Sequence, residues 1–198
     1  MLEYLRPWID LYKVDLKIFD DRHYRKLGGR LAPVLDTIRR LYRLGVWVEL
    51  VTLLVSGFND TDDELRHMTD FIASVSPDIS WHVTAFYADY KMADREDTTT
   101  DMLLRAAEIG RANGLRFVYA GNRPGQVDDL EHSFCPSCRT RLIERIGYHV
   151  QEYRLTTGGG CYSCGRILPG RWDPCFGGQI ADSPFLPGCR NALRIHRL

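Results

Sequence analysis

Cysteine is missing from the first 134 residues of this chain; all six lie at or beyond position 135. A disulfide framework normally scatters its cysteines through a fold, so that class is excluded for most of the sequence. Net charge is missing too, with 26 basic residues set against 26 acidic ones. A neutral chain has no general attraction to a polyanion or an anionic membrane surface, so neither nucleic acid nor membrane is expected as a partner. No apolar run approaches the roughly 18–20 residues that cross a bilayer. The first eleven residues carry Glu3, Arg6, Pro7 and Asp10 where a secretory signal needs an apolar stretch. These absences predict a cytoplasmic protein. No nucleophile motif of an α/β hydrolase or aldolase occurs.

What is present is 198 residues with 44% apolar content, enough for one sizeable core and a small appended module. Residues 11–17 form a short apolar run broken by Lys13, Asp15 and Lys17, and read as a strand whose last polar residues emerge at a functional edge. Val34, Ile38, Leu41 and Tyr42 share one helical face between Pro33, suited to a first turn, and Gly45, suited to a stop. Residues 46–55 are β-branched and nearly continuous, as a buried strand requires. Thr61 and Glu64 have capping-box spacing ahead of Leu65, Met68, Ile72 and Val75. Strands are predicted again near 81–86 and 116–120, with a helix over 100–113 between them. The alternation predicts an α/β fold: a parallel sheet of about four strands with helical crossovers, open or part of a (β/α) barrel, because four strands cannot close an eight-stranded one. Near residue 126 the long helices give way to Gly, Cys and short strands. The expected division is 1–125, a small module over 126–173, and an unassigned tail over 174–198.

The most specific signal is a pair of Cys-x-x-Cys turns, Cys135-Pro136-Ser137-Cys138 and Cys161-Tyr162-Ser163-Cys164, with 22 residues between them. Each turn can direct two thiolates at one ion, and together they supply the four soft ligands of tetrahedral zinc. Iron held by four thiolates has the same geometry, and two metal-free reducible dithiols are the remaining reading. A four-cysteine site leaves no open coordination position, which points to a structural role. Two plausible ribbon strands and the Gly158-Gly159-Gly160 return lie between the turns. Cys175 and Cys189 lack paired spacing and read as incidental thiols; Arg190, Arg194 and Arg197 read as a solvated end.

Several strings, in order, resemble one family. They are Asp15-Leu16-Lys17 at a strand end; Leu53-Leu54-Val55-Ser56-Gly57-Phe58-Asn59-Asp60; Trp81-His82-Val83 followed by Phe86 and Asp89-Tyr90-Lys91-Met92; Val118-Tyr119-Ala120-Gly121-Asn122; the two cysteine turns; and Pro169-Gly170-Arg171-Trp172. Together they resemble the C-terminal portion of radical S-adenosylmethionine enzymes related to pyruvate formate-lyase activating enzymes, in the AmmeMemoRadiSam branch. The resemblance implies a partial radical-SAM barrel followed by a zinc-ribbon-like module. It also implies chemistry in which a [4Fe–4S] cluster, bound through Cys-x-x-x-Cys-x-x-Cys, reductively cleaves S-adenosylmethionine. This sequence contains no such three-cysteine motif, so the chain alone is expected to be inactive. By the same resemblance Asp15 and Lys17 face the cofactor, and Asn59 lies in the loop after the next strand. A surface ion pair is the plain alternative for the first two, and turn and capping chemistry for Asn59 with Asp60. His82 reads more readily as a packed strand histidine than as a site residue. Where the family commonly has Arg-Phe-His, this chain has Ala85-Phe86-Tyr87. The implied partners are an upstream cluster-bearing half and, by family association, AMMECR1-like and Memo-like domain proteins. A zinc-ribbon interaction module on an α/β platform is the second functional reading.

Overall fold

The computed structural model describes residues 1–172; Cys175, Cys189, Arg190, Arg194 and Arg197 and the tail expected over 174–198 lie outside the described residues. The chain divides into two compact units, Met1–His132 with Ile146–Tyr148, and Ser133–Arg145 with the chain from His149 onward.

The first unit begins with a short helix α1 (Leu2–Leu5) and a single 3-10 turn. It then runs β1 (Leu11–Asp15), α2 (Asp21–Lys26), α3 (Leu31–Arg43), β2 (Trp47–Leu54), α4 (Asp62–Val75), β3 (Ser80–Ala85), α5 (Thr100–Ala112) and β4 (Val118–Gly121). All three strand pairings are parallel and the order is β1-β2-β3-β4. The four-stranded parallel α/β sheet expected from the sequence is therefore present, with strand ends within about two residues of the reading.

Strand order decides the architecture. A sheet whose order follows the sequence, with right-handed crossovers throughout, places every helix on the same face. Burial agrees: in β2, Val48, Leu50, Thr52 and Leu54 are buried while the alternating Trp47, Glu49, Val51 and Leu53 are half-buried. The buried set packs with Ile38 and Leu41 of α3, Leu65, Met68 and Ile72 of α4, and Leu103, Ala106 and Ala107 of α5. Trp81 is fully buried, its indole N–H donating to Thr52 Oγ1 at 2.9 Å. Gly110 of α5 meets that indole closely: a Cβ there would lie 2.9 Å from the Trp81 ring, so the helix approaches because the side chain is absent.

Local chemistry departs from the sequence reading in two places. Thr61 caps α4 by accepting from Glu64 N, as expected, but the Glu64 carboxylate does not return to the cap. It accepts instead from Phe19 N at 2.8 Å. The chain after β1 passes over the start of α4 and presents a backbone donor there, and burial raises the Glu64 carboxyl above its usual range. Helix α2 was not anticipated; Asp20 caps it by accepting from His23 N, a short-range signal too brief to show helical periodicity. No helix among the described residues is long and apolar enough to cross a membrane.

The second unit contains a three-stranded sheet in the order β5 (Ser133–Phe134), β6 (Arg141–Ile146), β7 (His149–Tyr153), with β5 and β6 antiparallel. Among its described residues few are buried, Cys135, Leu142, Leu155, Cys161 and Leu168 among them.

Candidate functional site

The C-terminal ends of parallel strands share one edge, and that edge collects the side chains singled out in the sequence. Asp15 is the last residue of β1, and its carboxylate lies 3.0 Å from Lys17 Nζ; both side chains are about half exposed, at 56% and 42%. An exposed pair of this kind contributes under about 1 kcal/mol, so stability gives little reason for the arrangement.

The backbone carrying the pair is fixed. Thr52 donates to Leu16 O at 2.8 Å, Asn59 Nδ2 donates to Lys17 O at 2.7 Å, and Phe19 N is held by Glu64. Asn59 is 1% exposed, and its amide also donates to Leu53 O at 2.9 Å and accepts from Val55 N at 2.7 Å. The amide is spent on main chain: Asn59 ties the ends of β1 and β2 together. The neighbouring loops are tied in the same manner. Thr98 accepts from Phe86 N and donates to Leu54 O, and Asn122 Nδ2 donates to Ala85 O at 3.0 Å. Tyr87 donates to Asn122 O, and the Arg123 guanidinium lies over the Tyr87 ring at 5.2 Å.

The sheet face opposite the helices carries a second polar group. His82 and Tyr119 are register partners on β3 and β4, and their rings stack at 5.1 Å with a 24° interplanar angle. His82 Nε2 lies 3.4 Å from Glu49 Oε2. The imidazole holds the Glu49 carboxyl below its usual value, against burial, with help from the Trp47 indole and Lys13. The sequence places His82 in a strand and Tyr119 in another, but that they meet each other and Glu49 shows only in the strand register. A depressed carboxylate contributes stability above its unfolded-state pKa and loses it as pH falls through its folded value. His82→Gln is therefore expected to raise the Glu49 titration midpoint, read by carboxyl carbon NMR; an unmoved midpoint would contradict the pairing.

The cysteines converge as well. Cys135 Sγ lies 3.6 Å from Cys164 Sγ and Cys138 Sγ lies 3.7 Å from Cys161 Sγ, and all four sulfurs fall within 4.8 Å of one another. Four ligands at about 2.3 Å from a tetrahedral ion stand about 3.8 Å apart, so the four cysteines can hold one metal ion. A four-iron cube is different, since each cysteine binds a separate iron and the sulfurs must stand farther apart. These residues fit a mononuclear ion and do not fit such a cluster.

The two turns are near copies. In each the first cysteine is buried and the second exposed, and Arg139 N and Gly165 N donate back to Cys135 O and Cys161 O at 3.0 and 2.8 Å. Cys135 N and Cys161 N in turn donate to Thr140 O and Arg166 O. Hydrogen bonds from the Thr140 hydroxyl and backbone N–H lower the Cys138 thiol to about 6. The Arg166 backbone N–H acts downward on Cys164, but the neighbouring sulfurs and burial outweigh it and push that thiol up to about 12. Crowded thiols resist full ionisation, and a bound cation reverses that preference.

Both turns need a left-handed residue after the second cysteine: Gly165 at φ +75° and Arg139 at φ +60°. Nothing lies within 4 Å of a Cβ built on Gly165, so Gly165→Ala is expected to cost the metal-loaded unit roughly 1–2 kcal/mol through backbone conformation alone. Arg139→Gly is expected not to lower stability. Thermal melts of the two variants check the contrast.

Comparison with known proteins places these observations. No family model matches the chain. It is 32% identical over 148 residues to an uncharacterized protein of Methanocaldococcus jannaschii, covering 74% of this chain and 44% of that protein. It is 23% identical over 128 residues to the benzylsuccinate synthase activating enzyme of Thauera aromatica, covering 57% of this chain and 39% of the enzyme. The chain thus spans less than half the length of the curated relatives it matches. In structure it resembles a domain of a pyruvate-formate lyase-activating enzyme from Bacteroides vulgatus, with a TM-score of 0.55 at 15% identity over 61% of this chain and 73% of that one. That likeness speaks for the fold.

Proposed function

We propose that the chain forms one wall of a radical S-adenosylmethionine enzyme of the glycyl-radical-activating kind, in the AmmeMemoRadiSam branch, and that its four-cysteine site holds structural zinc. The observation that carries the reading is the Asp15–Lys17 pair, presented on a pinned backbone at the C-terminal edge of an in-order parallel sheet. The similarity to the Thauera aromatica activating enzyme supports it.

A carboxylate beside an ammonium complements the amino and carboxylate groups of a methionyl end. In this reading Asp15 receives the amino group, Lys17 receives the carboxylate, and Asn59 acts through the backbone it holds. This sequence has no Cys-x-x-x-Cys-x-x-Cys motif, and among the described residues no group of cysteines fits the cluster, so we assign the cluster to a partner half. A reduced [4Fe–4S] cluster held by that partner would supply the electron for cleaving S-adenosylmethionine, while Asp15 and Lys17 would orient its methionyl end. The free thiols fit a reducing, cytoplasmic setting.

The test uses this chain complemented with a cluster-bearing half. Lys17→Ala and Asp15→Ala are each expected to weaken S-adenosylmethionine binding by about tenfold, the weight of a charge-assisted hydrogen bond, with little change in melting temperature. Unchanged affinity in both variants sinks the assignment. The second reading, an interaction module, draws support from the second sheet's hairpin tip, where Ile146, Tyr148 and Val150 are exposed and Tyr148 wholly so.

A further inference from the structure

The neutral total hides an uneven division of charge. The first unit carries 22 acidic residues against 17 basic ones, whereas residues 133–145 and 149–172 of the second carry six arginines, two glutamates, and neither lysine nor aspartate. A divalent ion held by four thiolates leaves two negative charges, and the arginine excess of the second unit is larger than that. A polyanion meets the local field, so the neutrality that argues against such a partner for the whole chain does not extend to this unit. The excess is all arginine, whose planar fork matches phosphate where a lysine ammonium offers a point charge.

Three of these arginines gather around the cysteine turns. Arg139 directly follows the exposed Cys138, and Arg166 Nη1 donates to Ser137 Oγ at 2.9 Å, which brings a guanidinium of the second turn to the first. The unit's two glutamates pair with Arg141 and Arg154, so Arg139 and Arg166 have no carboxylate partner among the described residues. Arg154 lies 5.7 Å from the Tyr162 ring centroid and donates to its hydroxyl at 3.3 Å, and the ring remains 51% exposed. Arg139 is the sharper observation. It holds φ +60° where the second turn has Gly165. Its guanidinium is 5.8 Å from the Phe134 ring, a contact worth less at an exposed site than the left-handed backbone costs. A strained, exposed arginine where glycine would be unstrained points to a use for its charge.

We propose that the paired cysteine turns form a binding surface for single-stranded RNA, in which Arg139 and Arg166 receive phosphates and Tyr162, held by Arg154, receives a stacked base. Guanidiniums bind phosphate oxygens through charge-assisted hydrogen bonds. A half-exposed ring beside them is the sequence-tolerant platform that single strands use; the bases of a duplex are already stacked on one another and do not reach it. Ser137 and Ser163, one in each turn, are exposed beside these groups, and their hydroxyls can meet a ribose 2′-hydroxyl, which favours RNA over DNA. An acidic protein segment would satisfy the guanidiniums but leave the Tyr162 ring without a stacking partner. The surface lies wholly within the second unit, and its role does not depend on the Asp15–Lys17 assignment.

The probe is a fluorescein-labelled oligouridylate of about twelve nucleotides, within the site sizes of small single-strand binding modules. It is titrated with the full 198-residue chain, loaded with zinc, and read by anisotropy. Binding is expected to weaken with salt at a log–log slope of roughly −1.4, the value for two phosphates on a single strand. Tyr162→Ala should weaken it by about tenfold, and Tyr162→Phe should keep most of the affinity, because the ring stacks without its hydroxyl. Arg139→Gly should weaken binding several-fold and make the slope shallower by about 0.7, with no fall in melting temperature. Should Tyr162→Ala lose its metal, the Arg139→Gly result decides. No binding, or unchanged affinity in Tyr162→Ala and Arg139→Gly, would overturn the inference. An oligothymidylate of the same length binding as tightly would overturn the assignment to RNA, and polyglutamate binding as tightly would replace the strand with an acidic protein. Salt-sensitive self-association in place of RNA binding would assign the arginines to the acidic first unit of a second copy.

Discussion

On the zinc assignment proposed above, chelation of the purified protein is expected to unfold the second unit and to leave the four-stranded parallel sheet folded. The two units differ in what holds them. The first has a continuous core from Leu16 through Leu130. Among the described residues the second has short strands and few buried side chains, two of which are Cys135 and Cys161 themselves. A unit that small cannot offset its chain entropy by burial alone. A structural zinc site contributes on the order of 10 kcal/mol or more near neutral pH, so its removal decides the outcome. Cys135→Ser, which takes away a buried ligand, is expected to behave like chelation. Two-dimensional NMR before and after chelation checks this: signals from residues 133–145 and 149–172 should collapse while those of β1 to β4 persist. Survival of the second unit's signals would mean that the sulfurs are not what holds it.

The second large effect is expected at Asn59. Replacing it with Ala strands Lys17 O, Leu53 O and Val55 N without their partner at a site that is 1% exposed. Each buried unsatisfied group costs roughly 1–3 kcal/mol, so a loss of about 3 kcal/mol or more is expected. Asn59→Asp keeps the acceptor for Val55 N, loses both donors and buries a charge, and should fare no better. Urea denaturation provides the number. A loss under about 1 kcal/mol would show that the edge is not pinned in this manner, within the range typical of a single hydrogen bond.

The layout of the first unit was legible because each element carries its own signal. Trp47–Leu54 reads as a buried strand from its β-branched run, and Thr61 marks a helix start by itself. Two Cys-x-x-Cys turns announce a candidate metal site without further help, and the sulfurs do converge. What stayed hidden depends on partners distant in sequence. Glu64 has the spacing of a capping-box residue, yet its carboxylate serves Phe19, 45 positions away. Asn59 looks like a turn residue, and that it also binds Lys17 O follows only from the parallel pairing of β1 with β2. Glu49, His82 and Tyr119 gather on one sheet face through register alone. Arg139 carries no mark of a left-handed residue; its equivalence to Gly165 shows only when the two turns are compared in space.

In the proposed function this chain supplies a wall of the cofactor cleft and not the redox cluster. Anaerobic reconstitution with iron and sulfide, followed by dithionite and S-adenosylmethionine, tests it most directly, with 5′-deoxyadenosine as the readout. No product above the cluster-free background is expected from this chain alone, and production is expected once a cluster-bearing half is added. Cleavage by the isolated chain, or none from the complemented pair, would contradict it.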